Sequence, residues 1–576
     1  MEIRDESIGR ILSGAKISQI KPPHNAMLDD FLAIRIRKST ALVSILIAAV
    51  VLPSVAWSLW DKSVWAWDQS LYANSSLKTW AAHRAGVWPW LDAMMHAGGA
   101  SAPLIVWTGQ FFLPLRHLTG QFESALLLLN VAADVVILFL INAITRDLGC
   151  RLSHRMAAIL ACGGAGIIIA LCHQFLAETV LYAAATFAIY VCVQTHSMPM
   201  MRCVALLIIS ISMGLLAKSS SGIFLAPLTA YAAVSLIVCG DRVRQLPNKA
   251  DVALLIFAFL AAMATLAWYT TNWVYVTEHF KKATVGDVAL FYGSPVDLGR
   301  KIPYWSQSLS LSISSFLWIP ATLAVLIASA LLTAIIRTCR CGLYHSIQQA
   351  LENGTLLATT LAGSVIATII VFSLQINEDT RFLIISIPMV AVLIGWSLTV
   401  FHMRLLSVPV VLLLAFNAGI NQMQSQGLNP LQITPYGYLF PPDLRESDRT
   451  SLEEAIRITC PKDMGDRWNV IAVDYKNLNT NSAAFYSAKM TFNVDWTCRY
   501  TNLGFAPTDL NAALDRIMTV APPFVLTVDP QRQPPPDFVN RLSKPVAEWL
   551  SHNPEFAPEA VLESGIVIYR KRTPSL

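Results

Sequence analysis

Charge is scarce in this sequence: Asp, Glu, Lys and Arg make up 14% of 576 residues, against 55% hydrophobic. A water-facing globular surface needs nearer a quarter, and the mean hydropathy of +0.51 points the same way. A soluble fold for the whole chain is excluded. The net charge of +5 is scattered rather than gathered into a dense basic stripe, which removes nucleic acid as a partner. No short apolar core with a small-residue cleavage site opens the chain, so the first helix is expected to remain as an anchor. Cys339 and Cys341 form a lone C-x-C with no second pair beside it, a poor zinc site. Nor do the two halves repeat one another, as they do in many transporters.

What is present is a series of long apolar runs. A helix needs roughly 20 apolar residues to cross about 30 Å of hydrocarbon, because each backbone amide must be satisfied internally there. The runs are Thr40 to Leu59, Ser124 to Thr145, Met156 to Leu171, Thr179 to Gln194, Cys203 to Ala217 and Gly222 to Cys239. Val252 to Thr270, Leu311 to Ile336, Thr355 to Leu374, Phe382 to Phe401 and Leu405 to Ile420 follow. The expected fold is a polytopic all-α membrane domain of about eleven transmembrane helices, with a soluble α/β domain after it.

Lys and Arg set the orientation, because they are retained on the cytoplasmic side. Arg35, Arg37 and Lys38 precede the first run; Arg146, Arg151 and Arg155, then Arg242, Arg244 and Lys249, then Arg337 and Arg340, and finally Arg404 occupy alternate loops. The alternation holds if Ala102 to Leu115, which contains Pro103 and Pro114, is an interfacial helix that does not cross. Residues 1–39 are then cytoplasmic, 40–421 form the membrane domain, and 422–576 lie outside in the periplasm of an inner-membrane protein. Asn469 to Tyr475, Phe524 to Asp529 and Gly565 to Lys571 read as strands, "DLNAALDRI" and "FVNRLSKPVAEWL" as amphipathic helices. Cys460 and Cys498 are the two cysteines of this outer part, and an oxidising compartment favours their pairing.

All the elaborate sequence faces out. The first outer loop, residues 61–121, is rich in Trp and carries Asp68, Tyr72, His83 and His96. Most of its tryptophans suit an interfacial belt. Asp68, between Trp67 and Tyr72 territory just past the first span, is a carboxylate in a partly desolvated place, which suits a functional group. Glu178 opens the fourth span, either as a dipole-compensating acid or as a second carboxylate at the depth of Asp68. Two such acids could deprotonate and position a hydroxyl. In "NEDTRFLIISIPM", Glu378 and Asp379 would pair with Arg381, or Arg381 would hold a phosphate bidentately. Lys218 in "AKSSSG" and Arg300 in the long outer segment Thr271 to Ser310 add positive charge where a lipid phosphate could use it.

In layout and short motifs the stretch from Arg35 to Asn421 resembles the GT-C class of integral-membrane glycosyltransferases. Nearest are the bacterial relatives of protein O-mannosyltransferases and of the lipid A aminoarabinose transferase. "WDQSLYANSS" places Asp68 where the class has its acidic residue after the first span; "AETVLYAAATFAIY" places Glu178 and "EDTRFLIISIPM" places Arg381 at matching positions. "HAGGASAPLIVW" departs from the class's His-Pro-Pro-Leu-like segment, with His96 displaced and Ala102 in place of the first proline. The resemblance implies transfer of a sugar from a polyprenyl-phosphate donor to a hydroxyl of a lipid, glycan or protein of the envelope, with inversion. Asp68 would be the base, Glu178 would assist, and Arg381, Lys218 and Arg300 would hold the phosphate. Tyr72, His83, His96, Glu378 and Asp379 would line the substrate site. No cofactor is implied, although oligosaccharyltransferases of the class use a divalent ion. An O-antigen polymerase or ligase, a flippase of lipid-linked sugars, and a non-catalytic scaffold are the competing readings.

Overall fold

A computed structural model of the protein describes residues 24–238, 248–284, 289–338, 343–402, 404–428, 446–461, 467–476, 478–492, 498–504, 507, 509–529 and 540–572. The first of two compact units, Met1–Leu46, contributes the opening of the His24–Trp60 helix, and the second, Ile47–Leu576, holds the rest. Most of the predicted apolar runs fall on helix, but Leu311 to Ile336 is broken at residues 314–317, between Leu298–Ile313 and Trp318–Thr338, and Cys239 at the end of another run lies outside the described residues. Among the described residues eight helices are long and apolar enough to cross a membrane, or nine if one bent pair counts as a single span. The run Thr179 to Gln194 lies in the 17-residue helix Glu178–Gln194, and the last run lies in Arg404–Ser425.

The bent pair, Leu152–Gly163 and Gly166–Cys172, turns by 57°. A side chain at Gly163 would come within 2.7 Å of Val50, and one at Gly164 within 2.5 Å of Ala418, so neighbouring helices close in on the break. Polar groups inside the bundle are spent on joining helices. The Tyr182 hydroxyl donates to Asp134 at 2.6 Å, and Asn130 donates to the carbonyls of Leu171 and Gln174.

One boundary is corrected. The segment Thr271 to Ser310 is largely helical: Lys249–Thr284 runs for 36 residues, and Leu298–Ile313 is a separate helix before Trp318–Thr338. At 1.5 Å per residue, the first of these is about 54 Å long, well beyond the thickness of the hydrocarbon. It contacts the segment of residues 61–121, with Asn272 donating to the Met95 carbonyl at 2.8 Å and Trp268 to that of Ala97 at 3.3 Å. That loop folds as Trp67–Ala85, Val87–Met95 and the short pieces Leu104–Gly109, Leu113–Leu115 and Arg116–Thr119. None of these pieces after Ala102 is long enough to cross a bilayer.

The C-terminal region holds a five-stranded sheet of β1 (Trp468–Ile471), β2 (Arg499–Asn502), β3 (Phe524–Val528), β4 (Phe556–Val561) and β5 (Ile566–Lys571). Its order is β2-β1-β3-β5-β4, with β1, β2 and β3 parallel and β5 antiparallel to both β3 and β4. Val470, Val525, Val567, Ile517, Val546 and Leu550 form the core on one face. Cys460 and Cys498 are joined by a disulfide across 38 residues that include β1 and the Thr480–Met490 helix.

Buried charge ties this sheet region to the helical part of the same unit. Glu123, 1% exposed at the start of the Phe122–Asp147 helix, accepts from Lys489 at 2.8 Å and lies 3.2 Å from Arg449. Breaking a buried ion pair leaves its partners desolvated and uncompensated. Glu123→Ala is therefore expected to lower stability on the order of 3 kcal/mol, read as a fall in the thermal unfolding midpoint in detergent. Lys489→Met together with Glu123→Leu should recover much of that loss.

Candidate active site

The turn between Thr355–Ser373 and Ser386–Val400 brings the site together. The stretch leading into the Leu298–Ile313 helix frames it: the Glu378 amide donates to the Tyr292 carbonyl at 3.0 Å, and Gly293 bridges to Asn377. A Cβ at Gly293 would lie 1.8 Å from the Ile376 carbonyl oxygen, so only glycine permits this approach. Lys301, with no exposed side-chain surface, reaches Glu378 at 3.0 Å and the Ile376 carbonyl at 2.7 Å. Burial pushes the Glu378 carboxyl up, but hydrogen bonds from Ser294 and Lys301 and the Lys301 charge outweigh it and hold it below the usual range.

Glu378 is thus taken by Lys301, and Arg381 is held by Asp379. Asp379 caps the 3-10 turn Thr380–Ile385 by accepting the Arg381 amide at 3.0 Å. Its other oxygen receives Nε at 2.7 Å and lies 2.5 Å from Nη2. The remaining edge of the guanidinium, Nη1, faces Asp68 Oδ2 at 3.4 Å. Asp68 lies in the first turn of Trp67–Ala85 and its side chain is half exposed.

Glu178 is 5% exposed, and Lys218 donates to it at 2.7 Å while sitting 4.2 Å above the Phe382 ring. Arg381 and Asp379 also act on Glu178 through space. Tyr72, one helical turn beyond Asp68 and buried, lies within the fields of Asp68, Glu178 and Arg381 and hydrogen-bonds Ser101. Burial first, then the two carboxylates, push its phenol well up. Residues far apart in sequence therefore converge at one end of the bundle, at the helix ends predicted to share a side.

The other predicted residues stand apart. His83 stacks on Trp80 and meets Trp90 edge-on, both at 5.5 Å. His96 is exposed, 2.9 Å from the Asp92 carbonyl. Arg300 is exposed and reaches Glu378 only through its field, while the next residue turns inward as Lys301. His279 was not foreseen. It lies on the long Lys249–Thr284 helix within electrostatic reach of Asp68, Lys218 and Lys282. The signal was available, since no glycine or proline interrupts the sequence between Val252 and Val285. Among the described residues no group of three or more His, Cys, Asp or Glu is arranged to hold a metal ion.

No protein-family model and no curated protein sequence matches the chain. Solved structures do. ArnT from Cupriavidus metallidurans bound to undecaprenyl phosphate is 12% identical, with a TM-score of 0.58 over 93% of this chain and 99% of that one. Its apo form gives 13% and 0.50 over 92% and 98%. The arabinofuranosyltransferase AftD from Mycobacteria gives 13% and 0.50 over 92% of this chain and 40% of its own. At such identities the likeness is one of fold, and the chain has the fold of the GT-C membrane glycosyltransferases, resembling ArnT along nearly its whole length.

Proposed function

We propose that the protein is a glycosyltransferase moving a sugar from a polyprenyl-phosphate donor to a hydroxyl acceptor at the periplasmic face of the inner membrane, with inversion. The single observation that carries this is the grouping of Asp68, Glu178, Arg381 and Lys218 around buried Tyr72. Asp68 takes the proton from the acceptor hydroxyl, whose oxygen attacks the anomeric carbon. The bond from that carbon to the phosphate oxygen breaks, and the polyprenyl phosphate leaves with the electron pair. Negative charge grows on that oxygen, so preorganised cations there lower the barrier. Arg381 supplies Nη1, the edge that faces Asp68, and Lys218 supplies a second charge. Glu178, locked to Lys218, orients the amine rather than acting as a second base. Support for the periplasmic placement comes from the sequence, in which Lys and Arg recur in every second loop between apolar runs.

Purified protein in liposomes, given a radiolabelled polyprenyl-phosphate sugar and envelope extract as acceptor source, is expected to release polyprenyl phosphate only when acceptor is present. Movement of the lipid-linked sugar across the bilayer without phosphate release would overturn the transferase reading in favour of a flippase.

A further inference from the structure

We infer that the C-terminal domain is a positioning element for the candidate active site, fixing residues 63–68 so that Asp68 meets Arg381; this rests on the assignment of Asp68 as base. The chain between the first long helix and Trp67–Ala85 has no regular structure of its own. An irregular segment is conformationally free unless its polar backbone groups are tied down. Here the C-terminal domain ties them. The Trp65 amide donates to the Tyr486 hydroxyl at 3.2 Å, and that hydroxyl lies 3.3 Å from the Ser63 carbonyl. Ser482 donates to the Trp65 carbonyl at 2.9 Å.

The Trp65 indole, 1% exposed, is stacked between Phe485 of the C-terminal domain at 5.8 Å and Phe175 at 5.9 Å. Phe175 lies in the turn that leads to Glu178. One ring thus joins the approaches to both carboxylates to the domain outside.

Trp67, immediately before Asp68, has φ +43°, a left-handed conformation that a bulky residue adopts only where its surroundings impose it. Its indole N–H donates to Asp474 Oδ1 at 2.7 Å. Asp474 is itself fixed just beyond β1: its amide donates to the Asn540 side chain at 2.7 Å, and its carbonyl accepts from that side chain at 2.8 Å. The restraint passes from the sheet through Asp474 to Trp67, and from Trp67 to the neighbouring carboxylate. A small displacement of a reacting group suffices to slow chemistry without weakening substrate binding.

The test uses the full-length enzyme and a polyprenyl-phosphate sugar. Asp474→Ala and Trp67→Phe are each expected to lower kcat about tenfold while the donor KM stays within about twofold. Trp67 is half exposed, so its replacement by Phe spares the core. Asp474→Asn keeps an acceptor oxygen and should return kcat to within about threefold of the parent. The double variant should be no slower than the slower single one, because both remove the same bond. Asp68→Asn is run in parallel. If it retains turnover, the base assignment falls whatever the other variants do. If it abolishes turnover while Asp474→Ala and Trp67→Phe match the parent, the positioning role alone is overturned. A loss in Asp474→Ala that Asp474→Asn does not recover overturns it too.

Discussion

Asp68→Asn is expected to lower kcat by about 10²- to 10⁴-fold, the contribution of a positioned general base, with no loss of donor affinity. The substitution preserves shape and removes only the carboxylate's charge and basicity. Donor affinity should hold or rise, because in this structure the Asp68 carboxylate occupies the Nη1 edge of Arg381 at 3.4 Å. A donor phosphate must take over that edge, and an amide competes for it less well than an anion. Steady-state kinetics over a range of donor concentrations separates the two effects. A variant retaining more than about a tenth of parental kcat would be inconsistent with the base role.

Arg381→Ala is expected to lower kcat by about 10²- to 10³-fold, the usual loss when one preorganised donor to a developing anion is removed, and to raise the donor KM as well. The turn itself should persist. Asp379 caps it through the main-chain amide of residue 381, which alanine keeps. The loss would therefore arise from the missing guanidinium, together with the uncompensated carboxylates of Asp379 and Asp68. Arg381→Lys restores the charge but cannot engage Asp379 along one edge while presenting another to a phosphate. It should recover only a small part of the rate. Similar rates for Lys and Ala would show that the fork geometry matters; a Lys variant near parental activity would show that charge alone suffices.

Legibility in the sequence followed the physics of each segment. The apolar runs stood out because a bilayer demands length and composition together. Strands β1, β3 and β5 stood out because they are the sheet's interior, buried and rich in Val and Ile. Strands β2 and β4 did not, because they are the two edges: "RYTN" is polar, and "FAPEAV" holds a proline that only an edge tolerates. Asp68, Glu178, Lys218 and Arg381 were legible as ionisable groups at helix ends facing one side. Their partners were not. Sequence left Glu378 and Asp379 as equal partners for Arg381, and only tertiary packing gives Glu378 to Lys301 and leaves Asp379 to the arginine. The choice of Arg300 over Lys301 turned on which of two adjacent residues faces inward on the Leu298–Ile313 helix, and that follows from the close passage of the Ile376 backbone. The contacts of the C-terminal region with Trp65 and Trp67 were hidden for the same reason, since they span more than four hundred residues.

The Glu123 clamp also sets an order of assembly. Lys489 lies 366 residues downstream of the carboxylate it neutralises. At ribosomal speeds of about 5–20 residues per second, the nascent chain carries that acid without its lysine for about 20–70 s. During biogenesis the start of the Phe122–Asp147 helix therefore stays without this partner until the stretch carrying Lys489 has been made.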